Sequence, residues 1–364
     1  MNRQIIWGLS VCLSVSVTVQ GSHDREQKTV SSVRSIRLDG NTGGKRFDGI
    51  ELINGGEATS VLLKDYPEPQ RGQILNLVYK PKFGASVSAL FVEIPGDGNF
   101  TQGSIPSHKH TRGDLNYHRG YTWWVMQEAK RRNPELTLDR TAWSVPGWIG
   151  DGKFWSQDTA DYYVSWLKGL RDVYGLEFAA IDCRNEKGGS YDFVKLFRKT
   201  LEANSFSLLK IHAFDNWYKG KLDFVKDMLT DRELRDAINI IGGHVFYEGE
   251  PVSAEERVMA ERLGKPIWDT EDHVYKKEFD CLISFVECFN DNYIHNGVTK
   301  IVNWYDIVGI LPHGALFRIL SHRACLRALE WTSAAWNIPI HVRASTNIKT
   351  SSCRTAICYV FCWH

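Results

Sequence analysis

Net charge is almost absent from this chain: 44 Lys and Arg stand against 43 Asp and Glu over 364 residues, a balance of +1. A surface without an excess positive field lacks what phosphate backbones require, which argues against nucleic acid as a partner. After the first 21 residues no apolar run approaches the roughly 18–20 residues that cross a bilayer, so no transmembrane segment is expected. Pairs of His or Cys at zinc-like spacing beside a second pair are also missing, and neither a metal nor an organic cofactor is implied. Disulfides cannot be assigned either. Eight Cys are present, and removing Cys12 leaves seven, an odd number that requires a free or intermolecular thiol.

Cys12 is set aside because residues 1–21 read as a signal peptide, with Arg3 ahead of an apolar run from Ile5 to Val19. A membrane anchor fits less well, since the run is short and holds Ser and Thr. Export implies a lysosomal or secreted protein in which disulfides are permitted. Asn99-Phe100-Thr101 is a glycosylation sequon, a motif that also arises by chance. Residues 22–35 are expected to form a linker or an N-terminal strand.

What the chain has is aromatic surface and repetition. Aromatic residues make up 12%, with 13 Trp, and flat rings suit the apolar faces of sugars, although most Trp residues are core. Eight short β-branched or apolar runs recur at 47–53, 89–94, 136–144, 178–183, 208–214, 238–245, 266–270 and 300–306. Stretches of helical period separate them. Tyr162, Trp166, Leu170 and Val173 share one face, with Gly175 as the stop, and further helices fit 120–132, 191–203 and 253–263. Eight βα units, between residues 47 and 306, predict an α/β fold, a (β/α)8 TIM barrel; a doubly wound open sheet is the alternative.

Barrel chemistry sits at the C-terminal ends of strands, so the polar residues closing each run are the candidates. Run four closes in Asn185-Glu186 and run seven in Thr270-Glu271-Asp272, 85 residues and three units later. Two carboxylates so placed can face each other across the barrel mouth. That arrangement serves a retaining glycosidase, one group donating a proton and the other attacking the anomeric carbon. A random Glu is usually a solvated charge, but strand-end position distinguishes this pair. Trp143, Trp148 and Trp304 fit core as readily as site, His108, His110 and His244 read first as structural histidines, and Asp97, Asp215 and Asp272 as caps or ion-pair partners without chemistry.

Long motifs then appear in order: FDGI (47–50), GGEATSVLL (55–63), KPKFGAS (80–86), PSHKH (106–110), RGYTWW (119–124), EAKRRNP (128–134) and WSVPGW (143–148). The chain resembles glycoside hydrolase family 59, the galactocerebrosidases, from about residue 36 to 309. The resemblance implies Glu186 as acid/base and Glu271 as nucleophile, galactose contacts at Thr101 and Trp143, and a 2-hydroxyl contact at Asn185. An aromatic wall falls on Trp304, or Asn303 takes that place. It further implies hydrolysis of the glycosphingolipid galactosylceramide, with a small saposin-type protein presenting the lipid. Arg184 stands where the family has an aromatic residue, which would set a cation near the acid/base unless strand alternation turns the side chain away from the barrel axis. After Gly309 the pattern dissolves. The tail, 310–364, has six Lys or Arg, one acidic residue and four Cys, and is expected to be poorly ordered. In the family a β-sandwich and a lectin-like domain follow, supplying an Arg and a Trp to the site. A truncated, catalytically impaired protein and a barrel glycosidase acting on another glycolipid, such as glucosylceramide, are therefore the rival readings.

Overall fold

The computed structural model describes residues 43–54, 62–100, 103–273 and 278–304. Thr101, the expected signal peptide (1–21), residues 22–35, both expected domain boundaries and the tail (310–364) lie outside them. Among the described residues eight strands run parallel: β1 (Gly49–Asn54), β2 (Ala89–Glu93), β3 (Thr137–Thr141), β4 (Ala180–Ile181), β5 (Lys210–Ala213), β6 (Ile240–His244), β7 (Ile267–Asp272) and β8 (Val298–Trp304). Their order is β3-β2-β1-β8-β7-β6-β5-β4, sequential neighbours with β8 beside β1. The remaining seam, β3 against β4, is bridged by Ala179 N–H to Leu138 O (2.8 Å), Asp182 N–H to Arg140 O (3.0 Å) and Asn185 N–H to Ala142 O (3.1 Å). The sheet is therefore a barrel and not an open doubly wound sheet.

Helices α1 (Gln70–Tyr79), α2 (Thr122–Arg132), α3 (Gln157–Tyr174), α4 (Tyr191–Ala203), α5 (Arg232–Ala237), α6 (Ala254–Leu263) and α7 (Glu278–Ile294) occupy the crossovers. A two-stranded hairpin, Asn99–Phe100 with Gly103–Ser104, follows β2. Gly175 caps α3 at φ 63°, a left-handed position that costs Gly little, and its N–H reaches the carbonyls of Leu170 and Arg171. Tyr162, Trp166 and Leu170 are buried as the period requires, whereas Val173 is 45% exposed, so the buried face ends at Leu170. Trp166 is fully buried, and truncating it to Ala would cost about 3–5 kcal/mol. No helix among the described residues is long and apolar enough to cross a membrane. Cys183 and Cys288 are buried free thiols.

Strand alternation sorts the barrel. Leu52, Leu90, Leu138, Ile181, Ile211, Ile241 and Ile301 join the core beneath the helices. Ile53, Phe91 and Val302 form a separate small cluster, as do Ala180, Ile240 and Trp268. Charge is buried there too: Lys300 Nζ lies 2.8 Å from Glu51 Oε2, contacts Asp139, and sits 4.2 Å from the Trp268 ring centroid. Burial and the neighbouring Asp139 push the Glu51 carboxyl well above its usual range, whereas Lys300 helps to hold the Asp139 carboxyl below its own.

Candidate active site

The mouth of the barrel is built from backbone that leaves the strands early. β4 spans only Ala180–Ile181, and the next residues run out to Glu186, which has φ 51°. Its N–H donates to the carbonyl of Asp215 (3.1 Å), itself at φ 43°. Left-handed positions cost roughly 1 kcal/mol or more for a residue with a Cβ, and such strain collects at functional sites. Asn185 is 4% exposed beside Glu186.

Glu271 reaches the cavity by a different route. On an ideal strand it would point away from Trp268 and Thr270, into the helical layer. Register shows otherwise: Ile301 and Asn303, two apart on β8, pair with Asp269 and Asp272, three apart on β7. On β6, Gly243 and His244 pair with Asp269 and Glu271. β7 therefore holds one extra residue, a bulge of the kind that re-aims side chains near sites. Asp269 and Asp272 both accept from Asn292 on α7, at 2.7 and 3.3 Å. Thr270 and Glu271 are left to face the barrel. Thr270 Oγ1 donates to Asp215 Oδ1 (2.9 Å).

His244, at the end of β6, stands between the two glutamates. Its Nδ1 is 3.2 Å from Glu186 Oε1 and 3.9 Å from Glu271 Oε2, and one donor atom from each of the three lies within 4.8 Å of the others. Burial works against the imidazolium, but Glu271, Glu186 and Asp215 outweigh it, so the His244 pKa is raised. Burial first, then Glu186, Asp215 and Asp272, push the Glu271 carboxyl up to about 7, while His244 pulls it down. Groups coupled this closely titrate as a set. A second set, Asp182, His212 and Asp215, lies beneath, with His212 Nδ1 3.0 Å from Asp215. Within the first set His244 is hydrogen-bonded to Glu186, and within the second His212 is hydrogen-bonded to Asp215.

A cavity of about 520 Å³ opens over these carboxylates, lined by Trp143, Asn185, Glu186, Lys187, Trp217, Val245, Gly249, Glu271, His273 and Trp304. Among the sequence-predicted residues, Trp143, Asn185, Glu186, Glu271 and Trp304 meet there. Asn303 is buried at 1% exposure and does not line the cavity, so Trp304 is the residue that faces it. Thr101 lies outside the described residues. Trp304 meets His273 edge-on at 6.4 Å, and Trp143 meets Phe91 edge-on at 6.5 Å.

Two residues whose placement the sequence left open are located by the fold. His244 is not a bystander, and its place at the end of a predicted strand was the signal that could have singled it out. Arg184 does not line the cavity: its guanidinium sits 3.9 Å from the Phe154 ring centroid and 5.8 Å from that of Trp155. By contrast, His108 is structural, 1% exposed and 4.5 Å from the Tyr162 ring, with burial holding its pKa down at about 3. His110 pairs with Asp97 at 2.9 Å in the loop after β2. Trp217, Lys187 and His273 were not anticipated.

Known proteins share both the fold and the sequence. SrfJ from Salmonella typhimurium superposes with a TM-score of 0.59 at 18% identity, over 71% of this chain and 65% of that one, a likeness of fold. "Galactocerebrosidase" of Homo sapiens is 40% identical over 285 residues and that of Macaca mulatta 39% over 285 residues, in each case 76% of this chain and 40% of the relative. The chain thus spans about two fifths of the length of these relatives. The family model for glycosyl hydrolase family 59 matches residues 47–346, taking in every barrel strand and continuing past Trp304. This chain belongs to glycosyl hydrolase family 59.

Proposed function

We propose that the barrel is the catalytic unit of a retaining β-galactosidase that hydrolyses galactosylceramide to galactose and ceramide. One observation carries the mechanism: an oxygen of Glu186 and an oxygen of Glu271 lie within 4.8 Å. Retaining pairs sit about 5–5.5 Å apart and inverting pairs about 6.5–9.5 Å, because inversion must leave room for a water. The substrate reading rests on the relatives' name and on the aromatic walls Trp143 and Trp304.

Glu271 attacks the anomeric carbon as Glu186 protonates the glycosidic oxygen. The C–O bond breaks, ceramide leaves, and a galactosyl ester of Glu271 remains. Glu186, now ionised, takes a proton from water, whose oxygen attacks the same carbon and releases galactose. Asn185 holds the 2-hydroxyl, and Thr101 contacts galactose. The first step needs Glu271 ionised while Glu186 carries a proton. His244 Nδ1, close to both, keeps that proton between them and favours its transfer to Glu186 when Glu271 ionises.

We place the protein in the lysosome or outside the cell, with a saposin-type protein delivering the lipid. The test is product stereochemistry. The full-length protein acting on a β-galactoside should release β-galactose first by NMR, and Glu271→Gly with azide should accumulate α-galactosyl azide. Initial release of α-galactose would end the retaining mechanism.

A further inference from the structure

Trp217 is a large apolar side chain left 60% exposed on the cavity wall, and its neighbour Tyr218 is 43% exposed. The loop that carries them is nevertheless fixed. Asn216, 2% exposed, accepts from Gly188 N–H at 3.1 Å and donates to Phe214 O at 2.8 Å, while its own carbonyl accepts His244 N–H at 3.0 Å. Further along, Gly220 N–H donates to Glu250 Oε2 (2.7 Å) and Lys221 Nζ to the carbonyl of His244 (2.7 Å). A ring held out over a cavity by a pinned loop is a preorganised surface, unlike a scattered exposed aromatic that needs no explanation.

Its place in the barrel says which part of a substrate it meets. The sugar's anomeric carbon must face Glu271 on β7, and the bond being broken must point at Glu186 after β4. Whatever hangs from the leaving oxygen then continues past the β4, β5 and β6 ends. Those ends present Lys187, Trp217, Val245 and Gly249 to the cavity, an apolar wall with one long aliphatic stem. Trp304 belongs to β8, on the other side of Glu271.

We propose that Trp217, with Val245 and the stem of Lys187, forms the subsite for the leaving group, and that the group it takes is a hydrocarbon chain. The inference rests on the assigned roles of Glu186 and Glu271 and on the lipid leaving group proposed above, and it adds the residue that sets the preference for that chain, Trp217. An apolar chain laid on the ring loses water from both surfaces, whereas a short alcohol does not reach it.

The experiment compares ethyl and octyl thio-β-galactosides, which are not hydrolysed and differ only in chain length, by calorimetric titration of the full-length protein. Losing cover over about two methylenes corresponds to about tenfold in affinity. Trp217→Ala should therefore lower the octyl-to-ethyl affinity ratio about tenfold, with Trp217→Phe restoring most of it. An unchanged ratio, or equal weakening of both ligands, overturns the subsite. The same pair in the glucose series separates the two claims. If only glucosides bind and their ratio still depends on Trp217, the subsite stands and the galactose reading falls; if neither series binds, both fall.

Discussion

The backbone N–H of Glu186 donates to the carbonyl oxygen of Asp215 at 3.1 Å, and the Asp215 carboxylate accepts from Thr270 at 2.9 Å, one residue before Glu271. A single fully buried residue thus ties both carboxylates of the site to one point. Its negative charge raises the pKa values of Glu271 and His244. Asp215→Asn keeps the shape and an acceptor for Thr270 but removes that charge. Both pKa values should fall, so the acid limb of kcat/KM should move to lower pH. The rate should drop about 10–100-fold, the scale of 1–3 kcal/mol for a disturbed buried polar group. A pH profile that loses height without shifting would show Asp215 to be scaffold alone.

Gly242 leaves the room that Asp215 needs. A Cβ there would lie 2.4 Å from Asp215 Oδ1 and 3.2 Å from Thr270 Cγ2. Gly242→Ala should destabilise by about 1–3 kcal/mol, the usual cost of overpacking, and should lower activity with it. Gly243→Ala meets the far end of the Phe246 ring at 2.9 Å, a milder approach than 2.4 Å to a carboxylate oxygen, and should cost less. Urea midpoints of the two variants rank them.

Stability should fall as pH rises from 5 to 7.5. Glu271 titrates at about 7 in the fold, against about 4.3 unfolded, so between those values the folded state holds a proton that the unfolded chain does not. Its contribution is fully present below about pH 4.3 and is lost toward pH 7, worth at most about 4 kcal/mol. His244, also raised, acts in the same direction: its contribution is present below about 6.5 and lost above its folded pKa. Tm at pH 5 should exceed that at pH 7.5 by about 5 °C or more. Glu271→Gln should flatten the slope; an equal slope in that variant would contradict the assignment.

Arg184 should matter for packing and not for proton transfer. Its guanidinium rests on Phe154, a contact worth about 1 kcal/mol. Arg184→Ala should lower the unfolding free energy by that amount while both limbs of the pH profile stay in place. A shift of the basic limb would mean that the cation acts on Glu186 after all.

Much of the architecture could be read from the chain because barrel strands are buried on both faces and announce themselves as short continuous apolar runs. Run 178–183 overstated its strand, which spans Ala180–Ile181, since the residues beyond Ile181 already belong to the site. The two glutamates were legible for a related reason: a carboxylate closing an apolar run is a local feature, visible without knowing what lies opposite.

The eight-unit repeat, the strand ends that hold Glu186 and Glu271, and the near-neutral charge are written along the chain and need no partner to be seen. Tertiary structure decided how those ends are aimed. Simple alternation would turn Glu271 outward, and only the mismatch between β7 and its neighbours, two residues against three, brings it into the cavity. His244 and Asp215 gained their places in the same way, since their partners lie far away along the chain: His244 meets Glu186 across 58 residues, and Asp215 meets Thr270 across 55. Such contacts depend on register between separate strands, which is set when the barrel closes and every inward side chain must find room and a partner at once.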